Sequence, residues 1–372
     1  MKTLLRVMRN ETFSAYILIP IGLLSIALGA NFNSHFLEQT HRISGWHFTI
    51  REATLVYLLG FFFYAIGLQL RFELVHGSLQ NRKVLVVSAL SAGMGMAVPA
   101  LIFYIYNRAH GSPTTGWGIT MATDLPFVLA ALVVFKKNNL KGFVLALATI
   151  DDIGSVIVLS ILFKVHIDML YLLALVAILA IYFMLSYLFT SKALLIAVFI
   201  VGLALAHQSG IQTSLVAVLF GIFTSNNRRA GVDLQAKMLG LAEPASAFVV
   251  IPVFVFISLF RRYDFSPHAI GSTLVLSLII VRLIGKPAGI FLGILLGKAV
   301  TRIRIPFTTA EALLIGALGT LGLDVSLIFA QKDFAGTAQN LAILGILLTI
   351  PAGLVLSTLV HFFPGGHGKV AE

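Results

Sequence analysis

Six charged residues stand inside stretches that are otherwise apolar: Asp124, Asp151, Asp152, Arg282, Lys286 and Asp324. An ionised side chain at mid-bilayer costs about 2.5–3.5 kcal/mol on insertion scales, so such residues are kept for a purpose. Mutual pairing that staples helices together is the plain structural purpose. The adjacent carboxylates Asp151-Asp152 resist that explanation, because simple pairing neutralises neighbours poorly. Successive helical residues point about 100° apart, so one carboxylate can meet an ion while the other meets a basic partner. Carboxylate oxygens are hard ligands, suited to alkali cations and protons rather than to soft metals. The chain has 10 His but no clear pair of them within one apolar stretch, which disfavours a transition-metal site.

The basic residues add to the pattern. Arg282 and Lys286 are four apart and share one helix face. A cation near a helix end can snorkel to the interface, but Lys286 falls near the middle of its stretch. In Met121-Ala122-Thr123-Asp124-Leu125-Pro126, the proline has no amide hydrogen and disfavours helix at Leu125. The helix should break there, with the Thr123 hydroxyl and the Asp124 charge available to satisfy the freed groups. Gly316, Gly319 and Gly322 interrupt a second stretch near the other end of the chain. Paired interruptions in two halves point to an inverted-repeat transporter.

The elements that carry these residues follow from composition. Of 372 residues, 58% are apolar and 11% charged, against about a quarter charged in soluble domains. This excludes a soluble globular enzyme, a disordered chain and a coiled coil. Long unbroken apolar runs also exclude a β-barrel, leaving an all-α polytopic membrane protein. About twelve spans are expected, near 13–30, 54–70, 84–106, 116–135, 142–163, 169–190, 193–206, 211–224, 245–260, 269–296, 308–330 and 339–363. They form one transmembrane transporter domain over 1–372 with short termini. The first stretch resembles a signal peptide, but its length and the spans that follow favour a retained helix.

With the N-terminus inside, alternation puts 17 Lys and Arg on the cytoplasmic side and 7 on the other. That asymmetry places both termini in the cytoplasm of a multi-pass protein. It also accounts for the net charge of +11 without nucleic acid as a partner. The lipid bilayer is the partner instead. With no Cys, there is neither a disulfide nor a thiolate site.

At these residues the sequence resembles the NhaA-type sodium/proton antiporter family. The matching strings are Ala122-Thr123-Asp124 in a broken fourth helix, Ile150-Asp151-Asp152-Ile153-Gly154 in the fifth and Gly285-Lys286-Pro287 in the tenth. Gly67-Leu68-Gln69-Leu70-Arg71-Phe72-Glu73-Leu74, followed by Gly77, is a weaker match. The resemblance implies an inverted-repeat antiporter fold with helices 4 and 11 broken, in a bacterial inner membrane. It implies exchange of protons for Na+ or Li+, with no cofactor, and is compatible with a homodimer. Asp152 would bind the cation, Asp151 would pair with Lys286, and Thr123 would line the site. Asp124 and Lys286 would offset the helix ends exposed where the broken helices cross.

Departures from the family are as informative. Gln69 stands where a Glu is common, and Phe72 where a second basic residue is, beside Arg71 and Glu73. Those cytoplasmic-end charges are linked to pH response. Thr54-Leu55-Val56 lacks the family's Asp, and Ile257-Ser258-Leu259 replaces Asn-Ala-Gly. The usual Gly-Phe-Thr-Met-Ser reads Gly322-Leu323-Asp324-Val325-Ser326, which adds a carboxylate. A carboxylate there must be protonated, pair with Lys286 or Arg282, or help hold the cation. Arg282 restores charge balance if Asp324 is ionised, so an Asp324–Arg282 pair is favoured, with Asp151 left for Lys286. A sodium-coupled symporter or a channel-like relative of the same fold is the alternative function. An intramembrane aspartyl protease is a remote one, because Leu323 replaces the glycine that should precede its aspartate and no Tyr-Asp partner is present.

Overall fold

The computed structural model describes residues 2–31, 40–43, 46–77, 80–162, 168–188, 191–225, 234–302 and 307–362. Lys164, Arg228, Arg229, Arg304 and Lys369 of the charge-asymmetry argument lie outside the described residues. The apolar runs form helices α1 (Lys2–Asn31), α2 (Ile50–His76), α3 (Arg82–Ala109), α4 (Leu125–Val134) and α5 (Lys141–Leu162). There follow α6 (Met169–Leu188), α7 (Lys192–Ser209), α8 (Thr213–Phe223) and α9 (Leu234–Leu259). The last are α10 (Thr273–Thr301), α11 (Thr309–Leu318), α12 (Asp324–Asp333) and α13 (Gly336–Phe362). One antiparallel pair of strands departs from helix among the described residues. In it β1 (Thr40–Ile43) lies beside β2 (Trp46–Thr49), with Thr40 opposite Thr49.

By length and composition, 8 helices among the described residues could cross a membrane. Four others, α4, α8, α11 and α12, are half-length among the described residues, α8 with 11 residues. α4, α11 and α12 have 10 residues each. At 1.5 Å per residue that is about 15 Å, half of a ~30 Å hydrocarbon core. Asp124 is extended where the chain enters α4, after a one-turn helix at Trp117–Thr120. A non-helical stretch at 319–323 separates α11 from α12. α9 and α10 each contain a wider π turn, at Ser246–Val250 and Val281–Gly285.

The chain divides into two compact units, Met1–Phe72 with Val156–Arg262, and Glu73–Ser155 with Tyr263–Glu372. In the first, α2 and α8 touch backbone to backbone: a side chain at Gly67 would meet the Val218 carbonyl. That approach brings Tyr64 of α2 to Thr224 at the end of α8. The two tyrosine hydroxyls of Tyr64 and Tyr182 lie 2.9 Å apart, and Tyr182 lies 2.9 Å from the Thr224 hydroxyl. Gln235 of α9 donates to the Leu68 carbonyl at 3.1 Å.

All six intramembrane charges belong to the second unit. Its spine is the pairing of α3 with α10. Gly285, Gly289, Gly293 and Gly297 recur along one side of α10. A side chain at Gly293 would run into the Ser91 backbone, and one at Gly297 into Val87. Small residues let membrane helices approach until their backbones pack, where lipid offers no hydrophobic drive. This fixes the part of α10 that carries Arg282 and Lys286, whose exposures are 0% and 1%. The π turn at this point follows a common association of such turns with functional sites.

Candidate functional site

The site is built where the chain at 121–124 meets the chain at 319–323. Helix ends leave amides and carbonyls without helical partners, and here each half-helix supplies partners for the other. The Asp124 amide donates to the Leu321 carbonyl at 2.7 Å. The Thr123 hydroxyl donates to the Gly319 carbonyl at 2.9 Å. The Asp124 side chain does not cap its own helix. Its Oδ2 instead accepts the amides of Leu323 at 2.6 Å and Asp324 at 3.0 Å, at the start of α12. A carboxylate is favoured there by both the free amides and the positive end of the helix dipole.

The carbonyls on the opposite side of the crossing meet cations. Lys286 donates to the Met121 carbonyl. It also forms an ion pair with Asp151, Nζ to Oδ2 at 3.0 Å. Arg282 donates to the Ala122 carbonyl at 3.2 Å. Gly322 makes this possible, since a Cβ there would meet the guanidinium and the Ala122 carbonyl together. Thr123 is also an electrostatic neighbour of Asp151 on α5.

The expected Asp324–Arg282 pair is not formed. The guanidinium donates to the Ser326 hydroxyl at 3.0 Å and the Thr349 hydroxyl at 3.2 Å besides Ala122. Ser326 passes the interaction on to the Ile119 carbonyl at 3.0 Å. The physical reason is that exposed carbonyls and hydroxyls at the break compete for a fork-shaped donor set. Charge balance alone does not choose among them. Among the described residues, Asp324 Oδ1 is left buried without a hydrogen-bond partner, as is Arg282 Nε.

The four carboxylates differ in their surroundings. Asp124 has two amides, and Asp151 has Lys286. No cation lies within ion-pair distance of Asp152 or Asp324 among the described residues. Asp152 is the most exposed of the four, at 8% against 5% for Asp124 and 2% for Asp151 and Asp324. Asp151, Asp124 and Lys286 are its electrostatic neighbours. Among the described residues, no three His, Asp or Glu side chains are grouped as a metal ion with three such ligands would need.

The remaining residues singled out from sequence lie at the end of α2. Gln69 and Arg71 belong to the first unit, where Arg71 donates to the Ile222 carbonyl, and Glu73 is buried. Sequence reasoning passed over Ser326 and Thr349, which hold Arg282, and the ion pair of Lys137 with Glu311 at 2.9 Å. Glu311 was legible in part. Thr308-Thr309-Ala310-Glu311 ahead of an apolar run carries the spacing of a capping box, and that box is formed.

Comparison with known proteins places the chain in a family. The Na+/H+ antiporter 1 profile matches residues 5–361. The Na(+)/H(+) antiporter NhaA of Haemophilus ducreyi is 30% identical over 353 residues, covering 89% of this chain and 90% of that protein. Na(+)/H(+) antiporter NhaA 2 of Aliarcobacter butzleri is 28% identical, with 88% of each chain covered. Among solved structures, the sodium proton antiporter MjNhaP1 of Methanocaldococcus jannaschii superposes with a TM-score of 0.62 at 13% identity. That match covers 97% of this chain and 98% of that one, a likeness of fold.

Proposed function

The chain belongs to the Na+/H+ antiporter 1 family, and on that premise we propose that protons and Na+, or Li+, compete for Asp152 at the crossing of its broken helices 4 and 11. Asp151 and Lys286 act as a fixed pair, and Asp124 and Thr123 hold the crossing and line the site. Access alternates between the two sides of the bacterial inner membrane, so that each release of Na+ is coupled to uptake of protons. The two units work as one transporter of twelve spans in an inverted repeat, with both termini cytoplasmic. A homodimer accords with this reading.

The observation that carries it is the contrast between neighbours in the chain. Asp151 has its charge met by Lys286 at 3.0 Å, while Asp152 keeps a buried carboxyl and some exposure with no cation at ion-pair distance among the described residues. Neighbouring carboxylates titrate as a coupled set, so a proton and an alkali ion become alternatives on the same oxygens. Gln69 cannot titrate and Phe72 cannot carry charge, so pH acts on transport through this competition more than through the Gln69–Arg71–Glu73 end of α2. A symporter or channel needs no such exclusion of one ion by the other.

The test uses everted membrane vesicles and a pH-sensitive dye. Asp152→Asn is expected to leave folded protein in the membrane and to abolish Na+- and Li+-induced dequenching. Dequenching at the unaltered level would sink the assignment.

A further inference from the structure

Resting on the proposed antiport reading, we propose that Asp324 is a second carboxylate ligand of the transported cation, supplied by α12 alongside Asp152 of α5. Four aspartates and two cations are buried around the crossing in the second unit. Asp151 is matched by Lys286, and Asp124 by two amides. Arg282, the other cation, spends its hydrogen bonds on Ala122, Ser326 and Thr349. Of the four aspartates at the crossing, Asp152 and Asp324 are therefore the two with neither a basic partner nor a pair of amides among the described residues.

Asp324 is 2% exposed, and its Oδ1 meets no hydrogen-bond donor among the described residues. A buried acceptor left empty is destabilising, and a charged one more so. The groups whose charges act most on it are Asp124 and Asp152, both of the same sign. Its free oxygen thus belongs to an anionic cluster and not to the cationic side of the crossing. Its own amide is engaged by Asp124 Oδ2 at 3.0 Å, which fixes the backbone from which the carboxyl projects. A monovalent cation with hard-ligand preference supplies what this oxygen lacks. Two carboxylates from two helices also tie ion occupancy to the position of α12 at the crossing. Asp152 alone would not do this.

The purified full-length protein in detergent gives the test, by direct 22Na+ binding at alkaline pH together with thermal melting. Asparagine has the shape of a protonated Asp324 but cannot serve as an anionic ligand. Asp324→Asn is expected to weaken Na+ binding by at least about tenfold, the scale of losing one charged partner in a desolvated site. Its melting temperature should stay near that of the unaltered protein. Unaltered affinity in Asp324→Asn would overturn the proposal. If that variant does not fold, Asp324→Thr is read by the same criterion. Asp152→Asn is the control for the underlying reading. Retained binding there sinks Asp152 as the principal ligand, whatever Asp324 does. With binding lost there and retained in the Asp324 variants, Asp324 alone is excluded.

Discussion

Each unit buries a polar network, and the two networks are of opposite kinds. In the first unit, Tyr64, Tyr182 and Thr224 are no more than 3% exposed. They are neutral and close on one another, with Thr224 also donating to the Phe220 carbonyl at 3.0 Å. In the second, six charges share the crossing of two interrupted helices, and Asp324 Oδ1 and Arg282 Nε remain without partners among the described residues. A fully satisfied buried network rigidifies its surroundings, whereas a partly satisfied one is costly. The difference teaches where transport chemistry can reside. A closed neutral network holds helices together, while an incompletely paired anionic one has the sign that the proposed cation binding requires.

The comparison breaks most visibly at Lys286. Removing one partner of a desolvated pair leaves a buried charge and costs about 3–5 kcal/mol. Lys286→Ala is expected to lower the melting temperature sharply, and adding Asp151→Ala should recover much of the loss. A mild loss in the single variant, or strictly additive losses in the pair, would remove the distinction between the networks. Next in size is Thr224→Val. It takes a shared partner from two buried phenols, at about 1–3 kcal/mol. Stability should fall, with the Na+ dependence of transport unchanged; an altered apparent KM for Na+ would show that the neutral network also serves the ion. The smallest effect belongs to Lys137→Gln. Its ion pair with Glu311 is partly exposed, at 23% and 10%, and Glu311 keeps Asn139 and Thr308. Such pairs are worth about 0–1 kcal/mol, so melting should barely move.

Much of the charged network was legible in the sequence, because a charge in an apolar run declares itself. Asp124, Asp151, Asp152, Lys286 and the proline break could all be marked without coordinates. What those charges touch could not. The expected Asp324–Arg282 pair was drawn from charge balance, and the structure instead gives Arg282 a carbonyl and two hydroxyls, which carry no net charge to signal them. The neutral network was silent for a related reason. A threonine in a membrane helix can always turn back on a carbonyl one turn earlier, and Thr224 does this as well as meeting Tyr182. Nothing in sequence separates a hydroxyl that only turns back from one that also reaches a neighbour. The strand pair Thr40–Ile43 and Trp46–Thr49 falls between the first two expected spans, where a search for apolar runs marks nothing.

The central claim is that proton and cation exclude one another at one set of oxygens. Initial rates of Na+-driven proton movement in proteoliposomes, measured over a series of pH values and Na+ concentrations, test it most directly. Simple competition by one proton predicts an apparent KM for Na+ that rises about tenfold for each unit of falling pH on the acid side, by proton linkage. The maximal rate should be recovered at saturating Na+. An apparent KM that stays constant with pH while the maximal rate collapses, unrescued by Na+, would contradict the account and assign the acid response to a group outside the carboxylate crossing.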